Sequence, residues 1–197
     1  RGAASYTAVD RNPLALGGAD RFYDPFITRV APQRAAEFRE LVRNAADSDA
    51  GALRYLVLED FRFANRLAQG SIDVVFSNAA FEHFDDVPDV LEQVGIVLKP
   101  GGKLAATVDL QTHSRWIREK DPNNIYRYPR WLYRLFYFPG QPNRVRPAEY
   151  RRVLERWQQV RTISAHSFDS ARYGAHPVFQ TPEAEMDILT FVLLAIR

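Results

Sequence analysis

Four groups of side chains in this 197-residue chain are of types that could do chemistry. Asp10 closes a short apolar, β-branched run from Ser5 to Val9, and Glu59-Asp60-Phe61 closes a second run from Leu53 to Leu58. A carboxylate at the carboxyl end of a strand in an open α/β sheet can accept both hydroxyls of a ribose. It can equally cap a turn, and taken singly these acids leave both readings open. His83 follows Glu82, and His113 stands in a polar stretch after another apolar run. An imidazole titrates near neutral pH, so either histidine suits the removal of a proton. His83 has the alternative of supporting its loop through Glu82 or the backbone, and His166 and His176 are left unassigned.

The elements that must position these groups alternate. Apolar residues Phe38, Leu41, Val42 and Ala45 follow helical spacing between Gln33 and Asp47. Gly70-Ser71 is a turn, and Ile72 to Phe76 is apolar enough to read as a strand buried on both faces. Asp86 is placed to cap the next helix, Pro88 falls in its first turn, and Val87, Val90, Leu91, Val94, Val97 and Leu98 form its stripe. Pro100-Gly101-Gly102 ends that helix and Lys103 to Val108 returns as a strand. Strand, helix and strand at this spacing imply crossover units and a parallel sheet, hence an α/β fold. Beyond Asp109 the pattern breaks. One helix is expected from Pro129 to Phe136 and an amphipathic one from Pro147 to Trp157, followed by strands over Val160 to Ala165 and Ile188 to Ile196.

Composition narrows the classes further. With 46% hydrophobic and 25% charged residues the chain is that of a globular protein with a core. The absence of cysteine excludes disulfides, thiolate nucleophiles and cysteine-held metals. Lys and Arg total 26 against 24 Asp and Glu. Between Arg115 and Arg161, however, 12 basic residues face four acidic ones, a local balance of +8 within which all three tryptophans fall. On the expected helix Arg130 and Arg134 share a face with Arg127, while Trp131, Leu132, Leu135 and Phe136 take another. That partition fits a helix packed on a core with its arginines outward.

The stretch from Gly70 to Val108 is the most specific. Asp73, Ser77-Asn78, Glu82-His83 and Leu98-Lys99-Pro100-Gly101-Gly102 stand in the order and spacing of the class I, Rossmann-like S-adenosylmethionine-dependent methyltransferases, and the chain resembles their small-molecule branch. The resemblance covers Ser5 to Asp109. It implies a doubly wound, mostly parallel sheet with an antiparallel last strand, and S-adenosylmethionine as cofactor. Under it Asp10 would hold the cofactor's ribose, Asp60 and Phe61 its adenine, Ser77 and Asn78 its methionine end, and Phe81 would wall the transfer site. The family's first strand and glycine-rich loop have no counterpart here. The chain begins at Arg1, and an upstream segment is expected to supply them.

Asp109-Leu110-Gln111-Thr112-His113, the Tyr126 to Leu132 stretch and Gln141 to Pro147 are similar to an insert of bacterial methyltransferases linked to sugar and polysaccharide modification. That similarity implies a core over 1–109, a lid over 110–158 and final strands over 159–197. Asn143, Arg144, Tyr128 and Trp131 would then bind the acceptor. The expected reaction is O-methylation of a small or glycan-type acceptor by in-line transfer, with His113 and His83 as candidate bases. An RNA or other macromolecule methyltransferase and a non-catalytic binding domain are the alternatives. Nucleic acid is not the expected partner, because a net charge of +2 is low for it. No metal is expected: the sulfonium already carries charge, and Ala79 stands where the Glu-x-x-Glu-His metal motif of some RNA-terminal methyltransferases has its first ligand. Glu82, His83, Asp109 and His113 are the residues that could converge on one. A bacterial, cytoplasmic protein without a membrane span completes the expectation, with oligomeric state open.

Overall fold

A computed structural model describes residues 3–13, 25, 27–29, 32–40 and 52–197. The chain divides into two compact units, Arg1–Arg66 and Leu67–Arg197. The residues expected as a lid, 110–158, therefore share a unit with the strands on either side of them.

In the first unit, β1 (Tyr6–Asp10) and β2 (Leu53–Val57) pair in parallel, with Asp10 opposite Val57. Leu56, Leu58 and Phe63 are buried. The helix expected over Gln33 to Asp47 is helical at residues 35–40, and its remainder lies outside the described residues.

The second unit is built on a four-stranded sheet in the order β3-β4-β6-β5, from β3 (Ile72–Asn78), β4 (Leu98–Asp109), β5 (Gln159–Ser167) and β6 (Ile188–Ile196). β3 and β4 run parallel, and β6 is antiparallel to both β4 and β5. Between β3 and β4 lies α1 (Val87–Val97), whose N-cap Asp86 accepts from the Asp89 backbone N–H at 3.0 Å. Its stripe of Val87, Val90, Leu91, Val94 and Val97 is buried, each side chain contributing about 1.5–3 kcal/mol on burial. β4 follows at once, and only glycine allows the turn: Gly101 has φ +77°, and a Cβ on Gly102 would lie 2.8 Å from the Lys99 carbonyl. Leu104, Ala106 and Val108 of β4 and Leu189, Phe191, Leu193 and Ala195 of β6 complete the core.

Three short helices follow β4: α2 (Arg115–Arg118), α3 (Arg130–Leu135) and α4 (Pro147–Val153). Tyr150 and Leu154 anchor the last of them in the core. Arg146 ties this region to the start of β6. Only 2% exposed, it donates to the carbonyls of Ala184 (2.7 Å), Glu185 (2.5 Å) and Ile188 (3.0 Å) and to the Tyr126 hydroxyl (3.2 Å).

Two expectations of burial are corrected. β3 is the edge strand of its sheet, so Val74 and Phe76 are 54% and 61% exposed where burial on both faces was expected. No described strand occupies the place the resemblance assigns to the family's first strand. On α3, Trp131, Leu135 and Phe136 are about 70% exposed, so the stripe has no core beneath it. Arg127 belongs to a separate 3-10 turn before Pro129, not to the helix.

Candidate active site

Parallel neighbours deliver their carboxyl ends to one edge of a sheet, which is where open α/β folds place ligands. β3 ends at Asn78, opposite Thr107 of β4. Ala79 extends the ladder by one bond to the Thr107 carbonyl (2.9 Å) and then takes φ +50°, which turns the chain into the 3-10 turn Phe81–His83. β4 ends at Asp109, and His113 lies four residues on. The turn and the loop bring Glu82, His83 and His113 together. The two imidazole rings stand edge to face with centroids 4.8 Å apart, and one ligating atom from each of the three residues lies within 4.8 Å of the others.

The electrostatics of this cluster are unusual. Glu82 is 2% exposed, and neither carboxylate oxygen has a well-formed hydrogen-bond partner. Burial raises its pKa to about 7 and the nearby Asp109 adds to the rise, while the backbone amides of Glu82 itself and Asp109 favour the charged form. His113 is shifted the other way. Partial desolvation, then the neighbouring His83, holds its imidazole below the usual value against the pull of Asp109, which favours a neutral ring near pH 7. His83 places Nδ1 2.5 Å from the Gly140 carbonyl. A carbonyl only accepts, so Nδ1 carries the hydrogen of this bond and Nε2 faces away from it. The support expected from Glu82 or the backbone is thus backbone, from a residue far along the chain.

The segment that carries Gly140 is stapled to this turn by Asn143. Its backbone N–H donates to the Glu82 carbonyl (2.7 Å) and its Nδ2 to the carbonyls of Phe81 (2.8 Å) and Phe84 (2.9 Å), while Oδ1 accepts from Val145 N–H (2.9 Å). Arg144, at φ +64°, is 8% exposed. It donates to the carbonyls of Tyr128 (2.8 Å) and Ile125 (3.2 Å) and lies over the Tyr133 ring at 4.2 Å. The structure therefore makes Asn143 and Arg144 the frame of the site, where sequence reasoning had them reaching an acceptor. Buried carbonyls absorb what their side chains offer. Phe81 is corrected likewise: 2% exposed and edge-on to Phe84 and Tyr150, it underlies the cluster in the core. Tyr128 and Trp131 are 39% and 69% exposed. A cleft of about 440 Å³ lined by Trp116, Ile117, Lys120, Asp121, Asn124, Arg127 and Tyr173 includes none of the four residues expected to bind the acceptor.

Of the residues expected at the cofactor, Ser77 and Asn78 close β3, with Asn78 exposed. In the first unit Asp10 closes β1 exposed, its Oδ1 accepting from Asn12 N–H (2.9 Å); Asp60 is exposed and accepts from Arg62 N–H (3.0 Å). Phe61 adopts φ +55° and stands edge-on to Phe63. Both acids make the turn contact of the plainer reading with one oxygen. Exposed carboxylates at or just past strand tips, with an aromatic ring beside the second, still fit the donor set that a ribose and an adenine require.

Residues 30–106 match the Methyltransf_11 family, a methyltransferase domain. The chain's fold is the Rossmann-like one of class I methyltransferases. Among solved structures it is similar to an S-adenosylmethionine-dependent methyltransferase from Listeria monocytogenes (15% identity, TM-score 0.52, covering 100% of this chain and 81% of that one). It is also similar to the trans-methyltransferase CalH in complex with SAH (16% identity, TM-score 0.50, 98% of this chain and 42% of that one). The CurJ carbon methyltransferase aligns with 98% of this chain at 18% identity and a TM-score of 0.49. The chain spans 41% of the length of the CurJ chain. No curated protein sequence matches it. None of its described helices is long and apolar enough to cross a membrane.

Gly140 is what sequence reasoning missed as part of the site, and no local signal pointed to it; Glu82 stands among the residues that could converge with His83, Asp109 and His113.

Proposed function

We propose that the methyltransferase domain methylates an oxygen of a small or glycan-type acceptor, and that the acceptor hydroxyl is activated at the Glu82–His83–His113 cluster. The observation that carries this reading is the pairing of two imidazoles just past the ends of adjacent parallel strands, one of them held through Nδ1 by the Gly140 carbonyl. Bound S-adenosylmethionine supplies a methyl group on a sulfonium that departs in line toward a nucleophile.

The chain's own residues do the rest. His113, held neutral, accepts the acceptor's proton at its free ring nitrogen as the nucleophile forms. His83 cannot turn freely while Nδ1 is tied to Gly140, so it fixes the direction from which His113 is approached. Asn143 holds the turn that carries His83 in place. Exposed Tyr128 and Trp131 present ring faces of the kind that stack on sugars.

The test is transfer of labelled methyl from S-adenosylmethionine by the full-length protein to a panel of hydroxylated small molecules and glycans. Label in an acceptor oxygen, lost with His113→Ala, supports the reading. Transfer to carbon or nitrogen alone, or to RNA alone, overturns it.

A further inference from the structure

Glu82 poses a problem that the transfer reaction does not resolve. A carboxylate at 2% exposure, with no well-formed hydrogen-bond partner for either oxygen and only partial support from the Glu82 and Asp109 backbone amides, is an expensive group to keep. Among the described residues no Lys or Arg forms an ion pair with it. What lies beside it is a pair of imidazoles, and the ligating atoms of Glu82, His83 and His113 fall within 4.8 Å of one another. Imidazoles are not fixed cations in the way a guanidinium is. They are, with a carboxylate, a familiar ligand set for divalent first-row metals.

The surroundings of His83 point the same way. Histidines that bind metal almost always give their other ring N–H to a carbonyl or carboxylate, which fixes the tautomer and the ring. His83 does so at 2.5 Å to the Gly140 carbonyl, and the Asn143 staple fixes that segment in turn. Asp109, with Oδ1 held by both nitrogens of Gln111 at 3.0 Å, adds a further negative charge next to Glu82 and His113.

We propose that Glu82, His83 and His113 bind a divalent cation of the zinc and cobalt class, one ion per chain. Ligands about 2.0–2.2 Å from such an ion stand about 3.3 Å apart, so the cluster closes by roughly 1–1.5 Å on loading. His113, on an exposed loop, is the ligand free to make that movement. Imidazole-rich ligation disfavours magnesium and calcium, which select oxygen donors. The set differs from the Glu-x-x-Glu-His pattern, since Ala79 gives no ligand and the second imidazole comes from beyond β4. Where the ion is bound, the imidazoles would be its ligands, and its charge would lower the pKa of an acceptor hydroxyl, whose proton would then pass to solvent and not to a ring nitrogen.

Binding of the ion is read without any activity. Full-length protein freed of metal by chelator is titrated with Zn²⁺ calorimetrically and with Co²⁺ followed by its visible absorption. One ion per chain is expected, with cobalt bands of a nitrogen- and oxygen-ligated site. His113→Ala, at an exposed position that leaves the fold intact, should weaken binding at least tenfold, while His166→Ala, on exposed β5, should leave it unchanged. Saturation absent in the wild type, or equal loss with both variants, overturns the site. A parallel titration with S-adenosylhomocysteine reports cofactor binding separately, so failure of the metal site and failure of the methyltransferase reading are told apart.

Discussion

The rings of His83 and His113 meet edge to face at 4.8 Å, although one follows β3 and the other β4. Strand pairing makes this contact: Asn78 lies opposite Thr107, so the chain leaves both strands at one level of the sheet. The site thus depends on the ladder between β3 and β4 as much as on its own side chains.

If His113 removes the acceptor's proton or holds a cation that lowers the hydroxyl's pKa, His113→Ala slows turnover and leaves cofactor affinity unchanged. Steady-state rates and calorimetry with S-adenosylhomocysteine check this on the same preparations. Parallel loss of rate and cofactor affinity would instead mark a structural role.

Glu82 makes stability depend on pH in metal-free protein. Its folded pKa, about 7, lies above the ordinary carboxylate value of 4.5, so folding carries no penalty below about pH 4.5 and bears the full penalty above pH 7. Glu82→Gln, which stays neutral, should therefore be more stable than wild type at pH 8 by up to roughly 3 kcal/mol, the advantage shrinking toward pH 5. Urea unfolding at the two pH values, in chelator, measures the difference. A difference that does not change with pH contradicts the assignment.

Asn143→Ala removes two hydrogen bonds that join the Gly140 segment to the carbonyls of Phe81 and Phe84, and a local one from Val145 N–H. The expected cost is about 2–3 kcal/mol of stability, read from the denaturant midpoint. The same variant should lower turnover, because His83 loses its fixed partner; an unaltered midpoint would show that the staple is not needed.

Asp10→Ala should weaken binding of S-adenosylhomocysteine by about 1–3 kcal/mol, the worth of a charge-assisted pair of hydrogen bonds. Calorimetry with the full-length protein measures it. An unchanged dissociation constant leaves Asp10 as the turn residue that its bond to Asn12 already makes it.

Much of the fold was legible because local signals agreed. Asp86, Pro88 and the valine stripe fixed the start and buried face of α1, whereas Pro100-Gly101-Gly102, expected to end the helix, falls inside β4, which already begins at Leu98. Burial was not legible where it depended on neighbours. An apolar run such as Ile72 to Phe76 reads alike at the centre and at the edge of a sheet, and helical spacing in α3 states which residues share a face, not whether anything covers it. The site was half visible for a related reason. His83 and His113 could be picked out by type. That Arg144 would be spent on the Ile125 and Tyr128 carbonyls, or that Gly140 would set the tautomer of His83, depends on long-range closure that no local pattern encodes.

The central claim is that the histidine pair borders bound cofactor. The direct measurement is nuclear magnetic resonance of the four histidine rings in full-length protein as S-adenosylhomocysteine is added. The account predicts that the ring signals of His83 and His113 shift together with saturation while His166 and His176 stay in place. Saturable binding that leaves His83 and His113 unmoved would contradict it.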